Sequence, residues 1–234
     1  MYSFIDYITE LKLTLKYHDV LNPSLWYKDK IEEKDRKFLL DNAYKFVEYS
    51  KVNKENISDI VFTGSSANYN YTKFSDVDVH IMVHNVDTSG DKLYDKKVAW
   101  GETHKNLKLA GYPVEYYIQD DHEHFPSGQG VYSLLYNKWL VRPTHLDNVN
   151  KIFEDPKTIE KAKYNIKYAK DLIANGTKEK ITAFKDKLYK LRTAGLKGIG
   201  EFSVENIIYK DLRNRGLIEK LNKKIHFDEK GVDK

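Results

Sequence analysis

Hydrophobic positions recur along this chain with two different periods, and the places where the period changes divide it into stretches. Ile5, Ile8, Leu11 and Leu15 stand three or four residues apart, as do Leu39, Ala43, Phe46 and Val47, so two amphipathic helices are expected on either side of Pro23. From Ile57 the texture changes. Ile60, Val61 and Phe62 lead into Gly64-Ser65-Ser66, and Val77, Val79, Ile81 and Val83 then alternate with polar residues. A period of two is that of a half-buried strand. Residues 92–110 return to helical spacing through Leu93, Val98, Leu107 and Leu109, with Gly111 expected as the C-terminal cap. Residues 113–118 then predict a third strand. Residues 131–136 and 139–141 predict a hairpin joined across Asn137-Lys138.

Asp155-Pro156 opens a stretch that reads as helical almost to the end, because Asp can cap a helix and Pro can take its first position. One apolar stripe runs through Ile159, Ala162, Ile166, Ala169 and Ile173 and stops at Asn175-Gly176. A second, Ile181, Phe184, Leu188 and Leu191, stops before Gly195. Ser203 is expected to cap a last helix bearing Val204, Ile207, Ile208 and Leu212, ended by Gly216. The expected organisation is therefore an α/β (α+β) domain over residues 1–150, with its N-terminal helices, followed by a helical domain over 151–234.

Composition narrows the chemistry. Cysteine is absent, so thiolate metal sites and disulfides are excluded and any metal must be held by oxygen or imidazole. The sequence opens without a basic segment followed by an apolar run, and no stretch approaches the roughly 18 apolar residues that a membrane span needs, so the expected location is cytoplasmic. The net charge of +4 is too small an excess to identify nucleic acid as a partner by itself.

The informative stretch is Gly64-Ser65-Ser66 followed by Asp76-Val77-Asp78-Val79. Residues two apart on a strand face the same side, so Asp76 and Asp78 project together while Val77 and Val79 enter the core. Carboxylates held side by side repel unless a cation joins them, and a hard divalent ion with oxygen ligands is the natural partner. The glycine-serine corner can bring backbone amides close to a triphosphate. A third acid is needed on the attacking side, and Glu115, inside the next predicted strand, is preferred to Asp120 or Asp121 beyond its end.

These residues resemble the DNA polymerase β-like nucleotidyltransferase superfamily, whose signature is Gly-Gly/Ser, a spacer of about this length, and Asp-hydrophobic-Asp/Glu. The resemblance covers about residues 57–120. Tyr132 to Leu135, with the tract from Leu191-Arg192 to Leu212-Arg213, also looks like nucleotidyltransferase proteins encoded by bacteriophages. The resemblance implies a mixed sheet flanked by helices and Mg²⁺, as two ions with Mn²⁺ an alternative, held by Asp76, Asp78 and Glu115. It also implies NTP phosphates near Gly64, Ser65 and Ser66, and transfer of a nucleoside monophosphate to an acceptor hydroxyl with release of pyrophosphate. RNA is the favoured acceptor; a small molecule or a protein side chain would use the same core, and a non-catalytic nucleotide-binding or antitoxin-like module is the reading from another class.

Other residues have competing readings. Lys187, Lys190 and Arg192 are candidates for the far phosphates, although a basic helix face is commonly just solvated. His80 and His84 share strand parity with Asp78, which more often means a polar residue on an open face than a ligand. Asp121-His122-Glu123-His124 reads as a solvated charged loop rather than a zinc site. Most of the 18 tyrosines are expected in or around the core, with base stacking the sharper alternative. Asn206, in a first helical turn, is expected to help with capping.

Overall fold

The alternating stretch folds into six strands: β1 (Ile57–Thr63), β2 (Val77–Val83), β3 (Lys108–Leu109), β4 (Tyr112–Asp120), β5 (Val131–Ser133) and β6 (Lys138–Val141). This computed structural model describes residues 12–88 and 91–231, and its strands lie in the order β3-β4-β2-β1-β5-β6. β2 and β4 are parallel, and the other neighbouring pairs are antiparallel. The parallel pair follows from the chain path, because α2 (Asp91–Thr103) crosses over between these strands.

One face of the sheet is the core. Ile60, Phe62, Val77, Val79, Ile81, Val114 and Tyr116 pack there with Leu39, Ala43, Phe46 and Val47 of α1 (Glu33–Ser50) and with Trp100 of α2. Burying each of the larger aliphatic side chains contributes about 1.5–3 kcal/mol. Tyr116 keeps its polar end satisfied by donating to the Leu39 carbonyl at 3.0 Å. At the far edge, Trp26 stacks on Phe62 and Trp139, with centroids 5.2 and 4.6 Å away. The opposite face of the sheet presents Thr63, Asp78, His80, Glu115 and Tyr117, the alternate residues of the same strands.

The structure departs from the sequence expectation at the end of α2, at the hairpin and near the start of the chain. The helix expected through residue 110 stops at Thr103, and Gly111 does not cap it. Leu109 instead pairs with Tyr112, and Ala110 and Gly111 between them have φ of 48° and 88°, the two positive values of a tight hairpin turn. The strand expected to reach residue 136 ends at Ser133, and residues 134–137 form the turn into β6, with Leu134 fully buried. Of the first expected helix, Ile5, Ile8 and Leu11 lie outside the described residues, and Leu15 lies in non-helical chain.

Asp59 on β1 is buried, and its Oδ1 accepts from the Ser133 hydroxyl at 2.8 Å and from the Ile60 N–H at 2.7 Å. Desolvation outweighs these bonds and raises its pKa. A carboxyl raised on folding binds more protons folded than unfolded, so its contribution to stability falls as pH rises from the ordinary carboxylate range through the raised value. Asp59→Asn, which keeps the accepting oxygen, is expected to raise the melting temperature at pH 7 and change it little near pH 4. Thermal melts at the two pH values check this; an equal shift at both would refute it.

Tyr17–Leu146 forms one compact unit, and the chain from Asp147, with the segment ending at Lys16, forms another. The second contains α3 (Val149–Glu154), α4 (Pro156–Asn175), α5 (Lys178–Gly198), α6 (Val204–Asn214) and α7 (Leu217–Gly231). Asp155 caps α4 by accepting from the Thr158 N–H at 2.7 Å, and Ser203 caps α6 through the Asn206 N–H. Ala162, Ile166, Ala169, Leu172, Ile181, Phe184, Leu188, Ile208, Leu212, Leu217 and Leu221 make its core. Leu191, expected in that stripe, is 44% exposed: the side of α5 that packs on α6 continues through Arg192 and Gly195 instead. Asp211 is buried and accepts from the Thr14 N–H and hydroxyl, each at 2.7 Å, and from Arg215 at 2.8 Å, tying the incoming segment to α6. No helix among the described residues is long and apolar enough to cross a membrane.

Candidate functional site

Strand register lines up the acidic residues. Thr63 pairs with Asp78 across the antiparallel β1–β2 pair, and Asp78 pairs with Glu115 across the parallel β2–β4 pair. Partners on one face of neighbouring strands stand about 4.8 Å apart, so Asp78 and Glu115 are side by side. Asp76 immediately precedes β2, and the burial pattern around it alternates: Ser75, Val77 and Val79 are buried, while Asp76, Asp78 and His80 are half-exposed. The three acids therefore share the sheet face opposite the hydrophobic core. Asp120 pairs with Val83, five residues along the strand from Glu115. A rise of about 3.3 Å per residue removes it, and the loop beyond it, from Asp78.

The corner at the end of β1 is shaped by Gly64, whose φ is 77°. A Cβ on this residue would lie 2.0 Å from Asp78 Oδ2, so the carboxylate rests directly against the glycine backbone. A short 3-10 turn, Ser65–Ala67, follows. The Ser65 hydroxyl donates to that of Ser75 at 2.8 Å, and the Ser66 hydroxyl donates to the Asp76 carbonyl at 2.7 Å. Each serine thus ties the corner to the segment that delivers the acids. Ser66 is fully buried, and its hydroxyl is taken up by the backbone carbonyl of Asp76. Trp26 closes the back of the turn by donating to the Ser66 carbonyl at 2.8 Å. Thr63 accepts from Gln129 at 2.7 Å and donates to the Gly130 carbonyl at 2.9 Å, which fastens the loop before β5 to the same corner.

Glu115 is held by two donors on one oxygen: the Tyr117 hydroxyl at 2.5 Å and the Lys97 ammonium at 3.1 Å both reach Oε2. Lys97, from α2, also lies over the Tyr117 ring, 3.7 Å from its centroid. Burial raises the Tyr117 pKa far above that of a free phenol, and the charges of Asp78, Glu115 and Asp76 raise it further, so this phenol stays protonated and lies within electrostatic reach of all three acids. His80 stacks on the same ring with centroids 4.6 Å apart and hydrogen-bonds Gln119 through Nδ1. Burial lowers its pKa, which favours the neutral ring. Its observed role is to brace Tyr117.

Tyr117 and Lys97 were not singled out by the sequence. Tyr117 has a signal in retrospect, since it stands two residues from Glu115 on the same strand face. Lys97 has none, being one of several lysines on an ordinary amphipathic helix.

Lys187 and Lys190 are exposed on α5, in the helical unit. Arg192, on the same helix, donates to Asn206 at 3.1 Å, and its guanidinium lies 4.5 Å from the Tyr209 ring centroid. Asn206 reaches beyond capping: its amide donates to the Glu201 carbonyl at 2.7 Å, and Lys210 pairs with the Glu201 carboxylate. In the first unit, the Asp121-His122 stretch is a loop, where the exposed His122 ring meets Asp120 at 2.9 Å and Asp121 at 3.1 Å. The bond to Asp120 is the main cause of its raised pKa.

The donor chemistry of the acid row fits a hard divalent cation: carboxylate oxygens only, half-exposed, from adjacent chain segments. No protein-family model matches the chain, and no curated protein sequence matches it. Among solved structures, it is similar to the STING-associated CdnE c-di-GMP synthase from Capnocytophaga granulosa, with 11% sequence identity over 88% of each chain and a TM-score of 0.21. So loose a superposition carries no weight on fold or activity, and what this chain does must be read from its own residues.

Proposed function

We propose that this chain is a metal-dependent nucleotidyltransferase that moves a nucleoside monophosphate from an NTP to an acceptor hydroxyl and releases pyrophosphate. The observation that supports it most is the register that sets Asp78 between the Gly64 corner and Glu115 on one open sheet face. In the reaction, the acceptor oxygen forms a bond to the α-phosphorus while the bond to the β-phosphate oxygen breaks, and the acceptor proton leaves to a carboxylate or to water. Asp76 and Asp78 would hold a divalent magnesium or manganese ion, which would supply charge neutralisation for the phosphates and the leaving pyrophosphate. Gly64 and Ser65 let the backbone approach the triphosphate, and Ser66 fixes the Asp76 segment from behind. Glu115 acts on the acceptor side, as a proton acceptor or as a ligand to a second ion.

RNA is the acceptor best supported by charge. Residues 156–198, covering α4 and α5, carry 12 basic and four acidic residues, a net +8 in a chain whose total is only +4. The remainder is therefore net −4. On α4, Lys157, Lys161, Tyr164 and Tyr168 share a flank by helical spacing, and the two tyrosine rings stack with centroids 6.3 Å apart. Exposed tyrosines among lysines offer stacking to bases and charge to phosphates. Lys187 and Lys190 on α5 add to that charge.

The test is to incubate the protein with α-labelled NTPs, Mg²⁺ and mixed RNA. Label in RNA with release of pyrophosphate is expected. Tight NTP binding without transfer to RNA, small molecule or protein would favour a non-catalytic module. Binding of a fluorescent single-stranded RNA is expected to weaken steeply with salt, with a log-log slope of about −0.7 per phosphate contacted. Lys161→Glu with Lys187→Glu should flatten that slope, and salt-independent activity on a small molecule would overturn RNA as the acceptor.

A further inference from the structure

We infer that the Lys97 ammonium is a built-in second cation, standing beside Glu115 where a second divalent ion would otherwise bind, so that the acid row takes one such ion. This rests on the nucleotidyltransferase reading above and decides between the two roles left open for Glu115.

Lysine ordinarily keeps its ammonium in water on a mobile stem. Surface pairs in this chain do so: Lys34 and Lys37 are 76% and 71% exposed although each touches a carboxylate. Lys97 is 26% exposed and is restrained twice, by Glu115 Oε2 at 3.1 Å and by the Tyr117 ring face at 3.7 Å. The ring itself is fixed, since its hydroxyl donates to the same Glu115 oxygen and His80, bonded to Gln119, stacks against it. The result is a positive charge built into the acid face by packing from α2, β2 and β4.

The consequence for metal binding is electrostatic. An ion ligated by Glu115 would sit about 2 Å from its oxygens, close to the ammonium already bound at Oε2. Two cations on one carboxylate repel across a half-buried site, and the oxygen that already accepts from Lys97 and Tyr117 has less charge to give. With Lys97 in place, Asp76 and Asp78 hold the single ion. The ammonium, which has donors and no acceptor, is left to stabilise negative charge on the acceptor oxygen as its proton departs.

The experiment is Mn²⁺ titration of the full chain, with free Mn²⁺ read by electron paramagnetic resonance, and thermal melts to confirm folding. Wild type is expected to bind one Mn²⁺, lost in Asp78→Ala. Lys97→Met should bind a second, roughly tenfold or more tighter than any second ion in wild type. Lys97→Arg, which keeps the charge, should still bind one. Two ions of comparable affinity in wild type, or a Lys97→Met isotherm that matches wild type, would overturn the assignment while leaving the three-acid site standing. Wild type that retains no Mn²⁺ would overturn the three-acid site and this inference together.

Discussion

Asp78→Asn is expected to fold normally and to lose nucleotidyl transfer by roughly a thousandfold or more, the scale of a lost metal contribution worth several kcal/mol at the transition state. The asparagine is chosen because Asp78 is packed: its Oδ2 occupies the space that a Cβ on Gly64 would claim, and an amide of the same shape preserves that contact. What changes is the charge, with one accepting oxygen becoming an NH2 donor. Asp78 pairs in register with Thr63 on one side and Glu115 on the other, so removing its charge disables the middle of the row. Circular dichroism and melting should match wild type. Asp120→Asn, five residues down the neighbouring strand from Glu115, should transfer label at the wild-type rate. Activity of Asp78→Asn within a few fold of wild type would end the assignment of this face as the reaction centre.

Local pattern and tertiary contact were not equally legible in the sequence. The alternation of Val77, Val79 and Ile81 is a local property, and it puts Asp76 and Asp78 on the side opposite the core wherever the strand lies. The error at residues 104–111 came from the same kind of signal. Leu107 and Leu109 suit either period over so short a run, and a glycine with positive φ serves both a helix C-cap and a tight hairpin turn. Gly216, with φ 69°, does end α6, but α6 is not the last helix: Leu217 begins α7 at once, and its apolar face completes the second core. The contacts of Lys97 could not have been read at all, because a helix lysine meets Glu115 only after β2 and β4 have paired in parallel with α2 packed beside them. The hydroxyl of Ser66 belongs to the same class. Its sequence position fits a phosphate loop, and only the fold turns it inward to the Asp76 carbonyl.

Gly64→Ala should lower both stability and activity, for two separable reasons. At φ 77° and ψ −168° the residue occupies backbone territory that is almost confined to glycine, and an alanine there costs of order 1–3 kcal/mol. For a chain of this size that is a fall of several degrees in melting temperature, at about 2–4 °C per kcal/mol. The second effect is local. The new Cβ would lie 2.0 Å from Asp78 Oδ2 and 2.9 Å from its Cγ, so the carboxylate must move away from the corner. A displacement near 1 Å at a reacting centre can cost about a hundredfold in rate. Transfer should therefore fall by that amount even at temperatures where the variant is fully folded. Gly111→Ala separates the two contributions, because Gly111 also has a positive φ, 88°, but open space where its Cβ would stand. It should share the loss of melting temperature and keep the wild-type rate. If the two variants lose activity equally, backbone strain and not the position of Asp78 is responsible, and the close approach of Gly64 to the acid row has no catalytic meaning.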